Sequence, residues 1–306
     1  MRRHFTAEYG AAASDRASPS VVVSFEPAPA ANEERYKTVS WRVDTGDPGD
    51  QPLRARIHVG GRPRSFALSL LQGYVLEPLL AVAAARVGSV LLPSAAIEGP
   101  RGYVLLLGRS RSGKSSLCAR ALAAGRAILG DDHVLLDGVG HARAFPRRLR
   151  VYSDLEIVAP AAYRRLRGRA RAALAGRRLV RQATRGWVAP PLRLRIEQVG
   201  RPLPAPPVEL ERVVAIRRDP TVRDLERTDL AVPAIVELAQ AVADEQRERL
   251  AGLPGWRTAL SAARDADCRT LLGGLHDVPA QELVVPAEWG ARRAVDALAS
   301  AIGLEA

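Results

Sequence analysis

The stretch "LLLGRSRSGKSSLCARALAAGRAILGDDHVLL", residues 105–136, sets an apolar run, a glycine loop with one lysine, a segment of helical spacing and two aspartates in close succession. Val104 to Leu107 is short, wholly apolar and followed by glycine, the pattern of a buried central strand feeding a loop. Gly108 to Ser115 satisfies G-x-x-x-x-G-K-[ST] in full, and its flanks, an apolar strand before and a helix after, are the context that motif requires. Glycines let such a loop curl until successive N–H groups point inward at phosphate oxygens, and the helix N-terminus adds a favourable dipole. Gly108, Arg109, Ser110, Arg111, Ser112, Gly113, Lys114, Ser115 and Ser116 are therefore the candidate nucleotide contacts. Lys114 is the mobile charge for the β and γ phosphates, and Ser115 offers its hydroxyl to Mg²⁺. Of 45 basic residues all but Lys37 and Lys114 are arginine, which sharpens the significance of a lysine at this position.

Downstream, Ser115 to Ala124 has helical spacing and stops at Gly125, and "RAILG" reads as a second buried strand ending at Asp131 and Asp132. Alone, paired aspartates there suit a turn or a helix cap. Behind a phosphate loop, a strand running the same way as the loop's strand brings its carboxyl end beside the nucleotide. One carboxylate is then placed to hold Mg²⁺ and the other to accept a proton from an attacking hydroxyl. His133 reads as a structural neighbour, turned to the opposite face from Asp132.

Outward from this nucleus, "RYKTVSWRVD" and "LRARIHVGGRPRSFALS" alternate as strands, with Gly60-Gly61 as a hairpin turn, and a helix follows from about Leu70 to Arg86. "SVLLPSAAIEGPRGYVLLLG" reads as two strands joined at Gly99 to Gly102. "RVVAIRR" reads as a later core strand, followed by helices over about Val232 to Leu250 and Trp256 to Leu272, the strand "ELVVP", and a helix from Ala287 to Ile302. The whole predicts an α/β fold with a mixed sheet. Three parts are expected: a loosely ordered segment over 1–35, in which Val21 to Phe25 could form a strand; a β-rich part over 36–87 packed on the core; and the core itself over 88–306, with an Arg-rich insertion at about 141–201.

At 306 residues and 47% hydrophobic, the chain has enough apolar surface for a sizeable core. No apolar h-region follows the N-terminal arginines, so no secretory signal is read. The apolar stretch Gly73 to Leu92 carries Glu77 and Arg86, which favours a core helix over a membrane span. Cys118 and Cys268 match no metal spacing, and a reducing cytoplasm suits them. The formal charge is +12, and His141 to Arg201 holds sixteen arginines against three acids. No helix-turn-helix, zinc finger or aromatic-glycine RNA motif accompanies them, so a solvated basic face or an acidic partner is expected ahead of nucleic acid. Arg147, Arg148 and Arg150, or Arg217 and Arg218, are candidate clamps for phosphate or an acidic substrate.

Only fifteen residues separate Ser116 from Asp132, far fewer than in GTPases and many ATPases. With "GRSRSGKSSL", "CARALAAG" and "RAILGDDHVLL" in this order, the chain resembles the HPr serine kinase/phosphorylase group and its smaller HPr-kinase-related relatives. The likeness extends in outline over residues 36–303 and is specific over 88–137. It implies a P-loop kinase core of the HPr-kinase/phosphoenolpyruvate-carboxykinase-like type and ATP- and Mg²⁺-dependent phosphorylation of a serine hydroxyl. By position it makes Gly108 to Ser115 the phosphate site, Asp132 the general base and Asp131 its metal-side partner, with the reverse order left open. Where relatives carry a histidine before the loop, this chain has Pro93 in Leu92-Pro93-Ser94-Ala95-Ala96, and the glutamate-containing signature after Asp132 is replaced by arginines. A peptide or small-protein acceptor, such as a ribosomal-peptide precursor, is therefore expected rather than HPr, and the reverse phosphorolysis is not expected. Homo-oligomers are common in the group. A small-molecule hydroxyl kinase and a nucleotide-sensing binding protein are the alternatives.

Overall fold

The computed structural model describes residues 20–27, 34–201, 203–204 and 206–304. The N-terminal elements are β1 (Val21–Pro27), β2 (Glu34–Tyr36), β3 (Val39–Thr45), β4 (Leu53–Gly61), α1 (Arg64–Leu71) and α2 (Glu77–Arg86). Next come β5 (Ser89–Leu92), β6 (Ala95–Glu98), β7 (Tyr103–Leu107), α3 (Lys114–Ala123), β8 (Ile128–Gly130), β9 (Val134–Asp137), β10 (His141–Ala144) and β11 (Leu149–Val151). The Arg-rich region continues as α4 (Leu155–Val158), α5 (Pro160–Arg165), α6 (Gly168–Ala183) and β12 (Leu192–Leu194). Last are β13 (Val208–Asp219), β14 (Glu226–Leu230), α7 (Val232–Arg247), α8 (Trp256–Leu275), β15 (Ala280–Pro286) and α9 (Ala291–Ala301). Mixed sheets with helices on both faces make this an α/β protein.

β7 is apolar throughout because both its faces are covered. Val104 and Leu106 enter one core with α3 and α9, together with Val214 and Ile216 of β13 and Leu283 and Val285 of β15. Tyr103, Leu105 and Leu107 point the other way, into a second core with Val213 and Ala215 and with Ile235, Ala239 and Leu271 of α7 and α8. β13 runs parallel to both β7 and β15. β6 lies antiparallel to β7 and to β8, so β8 runs in the direction of β7 with one strand between. The carboxyl ends of β7, β8, β13 and β15 thus open on one edge of the sheet.

The run expected as two strands over 89–107 is three, because Pro93 and Ser94 break the first. β5 pairs antiparallel with β9, and β6 with β8. The pairs Leu92 with Val134 and Ala96 with Gly130 share one register, so β5–β6 and β8–β9 are two arms of one bent ribbon. Its bend sets Pro93 and Ser94 opposite Asp132 and His133. Gly130 has no room for a side chain there: a Cβ would come within 2.2 Å of the His133 carbonyl oxygen.

β1 to β4 form a four-stranded sheet in the order β1-β4-β3-β2, so the optional strand at Val21 to Phe25 is present as part of β1, parallel to β4. The rest of the segment expected to be loosely ordered lies largely outside the described residues. Gly60-Gly61 is not a hairpin turn. Both glycines pair within the β3–β4 ladder, and a Cβ on Gly61 would meet the Thr38 carbonyl oxygen. "RSFALSLL", read as strand, is α1, which starts after Pro63, earlier than the expected Leu70. At the other end, the last helix begins at Ala291 and not Ala287, because residues 287–290 turn out of β15. A π-helical turn, Gln72–Leu76, joins α1 to α2 and brings Gln72 onto Glu77. Phe66–Arg86 is long and apolar enough to cross a membrane, yet 61% of that stretch is buried inside the protein. Leu71, Val75, Leu79 and Val82 pack there with Ile57 and with Leu250 and Trp256, whose Nε1 donates to Thr45 Oγ1 at 2.8 Å.

Candidate active site

The glycine loop leaves β7 at the open edge of the sheet and enters α3. Three of its residues hold positive φ: Gly108 at 147°, Arg111 at 69° and Gly113 at 110°. Gly108 lies against β13, where an added Cβ would stand 2.5 Å from the Ile216 carbonyl oxygen. Gly108→Ala is therefore expected to destabilise the protein by about 1–3 kcal/mol, read as a lower urea midpoint with an unchanged slope. Arg109, Ser110 and Arg111 are exposed and Ser112 is buried. Leu117 N–H donates to the Gly113 carbonyl at 3.0 Å, which starts the helix. The Lys114 ammonium folds back over the loop, donating to the carbonyls of Gly108 and Arg109 and lying 3.4 Å from Ser112 Oγ. Burial lowers its pKa, while Asp132, Cys118 and Asp131 pull it back up, so both aspartates act electrostatically on this lysine. The Ser115 and Ser116 hydroxyls make no hydrogen bond to another of the described residues.

Asp131 and Asp132 follow β8 at the same edge, on the bend of the ribbon. Asp131 is buried and accepts the Arg150 backbone N–H at 3.0 Å, which ties it to β11. Asp132 is more exposed and meets Arg147 Nη1 at 2.6 Å and Arg150 Nη1 at 3.3 Å. Burial works to raise its pKa, but Arg147, with His133 and Lys114, outweighs it and holds the carboxyl below the ordinary value. Tyr152, next after β11, has its hydroxyl pKa raised by burial and then by Asp132 and Asp131.

Behind Asp132 lies a buried polar network that sequence patterns do not reveal. Arg147 Nη1 also contacts Glu77 Oε1 at 2.9 Å and His133 Nδ1 at 3.0 Å, and Gln72 Nε2 donates to Glu77 Oε1 at 2.9 Å. Arg147 and Glu77 are both almost fully buried. His133 is buried beside them, its ring 5.7 Å from that of Phe145. Burial lowers its pKa, opposed by Glu77 and Asp132 and reinforced by Arg147 and Lys114, so the ring is neutral near pH 7. With Nδ1 accepting from Arg147, the proton sits on Nε2, and the Gln246 amide 2.7 Å away supplies the acceptor once its Oε1 faces the ring.

The unfolded chain binds a proton that this buried ring refuses. The His133 contribution to stability is thus present above the ordinary pKa of 6.5 and is lost as pH falls below it. The His133 part is read as the difference in urea stability between the unaltered chain and His133→Gln from about pH 8 to about pH 5, since Asp267, whose pKa burial raises to about 6, acts with the opposite sign in both proteins.

The structure brings Gly108 to Ser116, Asp131, Asp132, Arg147 and Arg150 together, with His133 behind them as a structural neighbour. Arg217, at the carboxyl end of β13, is bonded to Glu282 and Asp219, and Arg218 donates to the Trp289 carbonyl at 3.2 Å. Glu77, Arg147 as its partner, and Tyr152 are the residues that sequence reading missed. The one available signal was Glu77, a charge inside an apolar helix that needs a buried partner.

Asp131, Asp132 and Ser115 form an all-oxygen set. Among the described residues no group of three or more His, Cys, Asp or Glu side chains is gathered for a metal. A cation here would draw further oxygens from a bound phosphate and water, the mode Mg²⁺ adopts, and the donors present fit it. No family model matches this chain, and no curated protein matches it.

Proposed function

We propose that the protein is an ATP- and Mg²⁺-dependent kinase that transfers the γ-phosphoryl group to a hydroxyl, a serine of a peptide or small protein, on a core of the HPr-kinase/phosphoenolpyruvate-carboxykinase-like type. The observation that carries this reading is the placement of Asp131 and Asp132 at the carboxyl end of β8, where both act on Lys114 of the glycine loop. An anion-binding loop and two carboxylates meet at one edge, which is what phosphoryl transfer to an alcohol needs.

In this reading the loop N–H groups and the N-terminus of α3 hold the phosphate oxygens, and Lys114 exchanges its loop carbonyls for the β and γ phosphates. Asp131 and the Ser115 hydroxyl would hold Mg²⁺, which when bound neutralises charge building on the phosphates. Asp132 orients the acceptor hydroxyl. Its lowered pKa makes it a weak base, suited to taking the proton late in a loose transition state. Arg147 and Arg150 fix its position.

Mass spectrometry of pooled serine peptides incubated with the protein and Mg-ATP tests the proposal. One added phosphate on a serine is expected. Phosphate on a small alcohol and on no peptide would favour the small-molecule kinase. Two guanidiniums on Asp132 also suit a nucleotide sensor, since they weaken the first candidate base. A sensor would bind Mg-ATP and transfer phosphate to nothing.

A further inference from the structure

The Arg-rich region is not a uniformly solvated face. A groove of about 400 Å³ lies between α6 with its following turn and the 153–157 segment, lined among others by Arg178, Arg181, Arg185, Gln182, Asp154 and Ile157. Arg178 and Arg181, three residues apart, share one face of α6, and Arg185, in the turn after the helix, lines the same groove. By contrast, Arg147 and Arg150 pair with Asp132, and Arg120 pairs with Asp296. Among the described residues, no acid lies within ion-pair distance of Arg178, Arg181 or Arg185. Asp154 is the single carboxylate lining the groove, so three exposed guanidiniums face one acid.

The groove begins close to the candidate active site: Arg150, whose N–H bonds Asp131 at 3.0 Å, stands only three residues before Ser153 on the groove's rim. Ser153 and Asp154 on its rim directly follow Tyr152, whose hydroxyl feels both Asp131 and Asp132. An extended chain covers about 3.3–3.6 Å per residue, so the step from Arg150 to Ser153 spans at most about 11 Å, and a peptide with its hydroxyl at Asp132 reaches the rim within about two to four residues.

Resting on the kinase reading above, we propose that this groove binds an acidic stretch of the acceptor, selecting serines with Asp or Glu about two to four positions away. Charge complementarity points to an acidic peptide, with guanidiniums gripping carboxylates in pairs. Single-stranded nucleic acid is the weaker fit, because among the described residues the groove lining holds no aromatic side chain on which a base would stack. Trp187, just past the groove, is exposed and already has a cation over its ring, Lys37, whose Nζ lies 4.3 Å from the ring centroid and donates to the Trp187 carbonyl at 3.3 Å.

Fluorescence anisotropy with a labelled hexaglutamate peptide carrying one serine provides the test, beside an oligothymidylate of equal charge. The full chain should bind the peptide, and Arg178→Glu/Arg181→Glu/Arg185→Glu should weaken binding at least about tenfold, with raised salt doing the same to the unaltered protein. Mg-ATP affinity, measured by calorimetry, should stay within about twofold in that variant, which keeps failure of the groove separate from failure of the kinase reading. Equal peptide binding by both proteins, or none by the unaltered chain, overturns the proposal. Tighter binding of the oligothymidylate, lost in the same variant, overturns it in favour of nucleic acid. If the unaltered chain binds the peptide and no Mg-ATP, the groove stands and the kinase reading falls.

Discussion

Asp132→Asn should lower phosphoryl transfer by about 10²- to 10⁴-fold, the span that a positioned proton acceptor contributes, while Mg-ATP affinity changes by no more than about threefold. Asparagine keeps the size of the side chain and an oxygen for Arg147 at the 2.6 Å contact. The bend of the ribbon is thereby kept, and the loss isolates the carboxylate. Transfer rate and calorimetric affinity, measured on the same preparation, check both halves. Retention of full transfer would move the base to Asp131, which is buried and already tied to Arg150 N–H. The converse holds for Asp131→Asn, where weakened Mg-ATP binding is expected if Asp131 is the metal-side carboxylate.

The largest effect on stability is expected at Arg147. Arg147→Met leaves Glu77 buried without its guanidinium, and breaking one side of a buried pair costs about 3–5 kcal/mol. Glu77→Gln/Arg147→Met removes both charges and should lose about 1–3 kcal/mol less than the sum of the two single changes. Equilibrium urea unfolding of the four proteins closes the cycle. Additive losses would mean that Glu77 and Arg147 act independently, and the coupling drawn between α2 and the Asp132 site would fail. Arg147→Met should also reduce transfer, because the same nitrogen holds Asp132 in place.

How far the sequence showed this site depends on how far each contact reaches along the chain. Gly108 to Ser116, Asp131 and Asp132 fall within one β-loop-α-β unit, so motif and strand pattern brought them together before any tertiary contact was known. Arg147 and Arg150 were legible only as members of a basic run. Their distinction from Arg178 or Arg181 comes from burial: the β11 crossing turns one set onto Asp132 and leaves the other on a groove. Glu77 lies seventy positions from Arg147 and is joined to it through the packing of α2, with Gln72 aligned by a π-helical turn that no hydrophobic period announces. The same limit explains the fold errors. Gly60-Gly61 has the composition of a turn, but β3 approaches so closely at Thr38 that the glycine is needed inside the ladder. Pro93 marked a break that apolar composition on both sides concealed, and the bend it makes carries the two aspartates on the facing arm.

The central claim, phosphoryl transfer at Asp132, is tested most directly by following the label of [γ-³²P]ATP in a single turnover with an acidic serine peptide, using the unaltered chain and Asp132→Asn side by side. The expected result is label on the peptide serine with the unaltered protein and nearly none with the variant, both binding Mg-ATP. Label that stays in ATP, or leaves only as inorganic phosphate whatever acceptor is supplied, would contradict it.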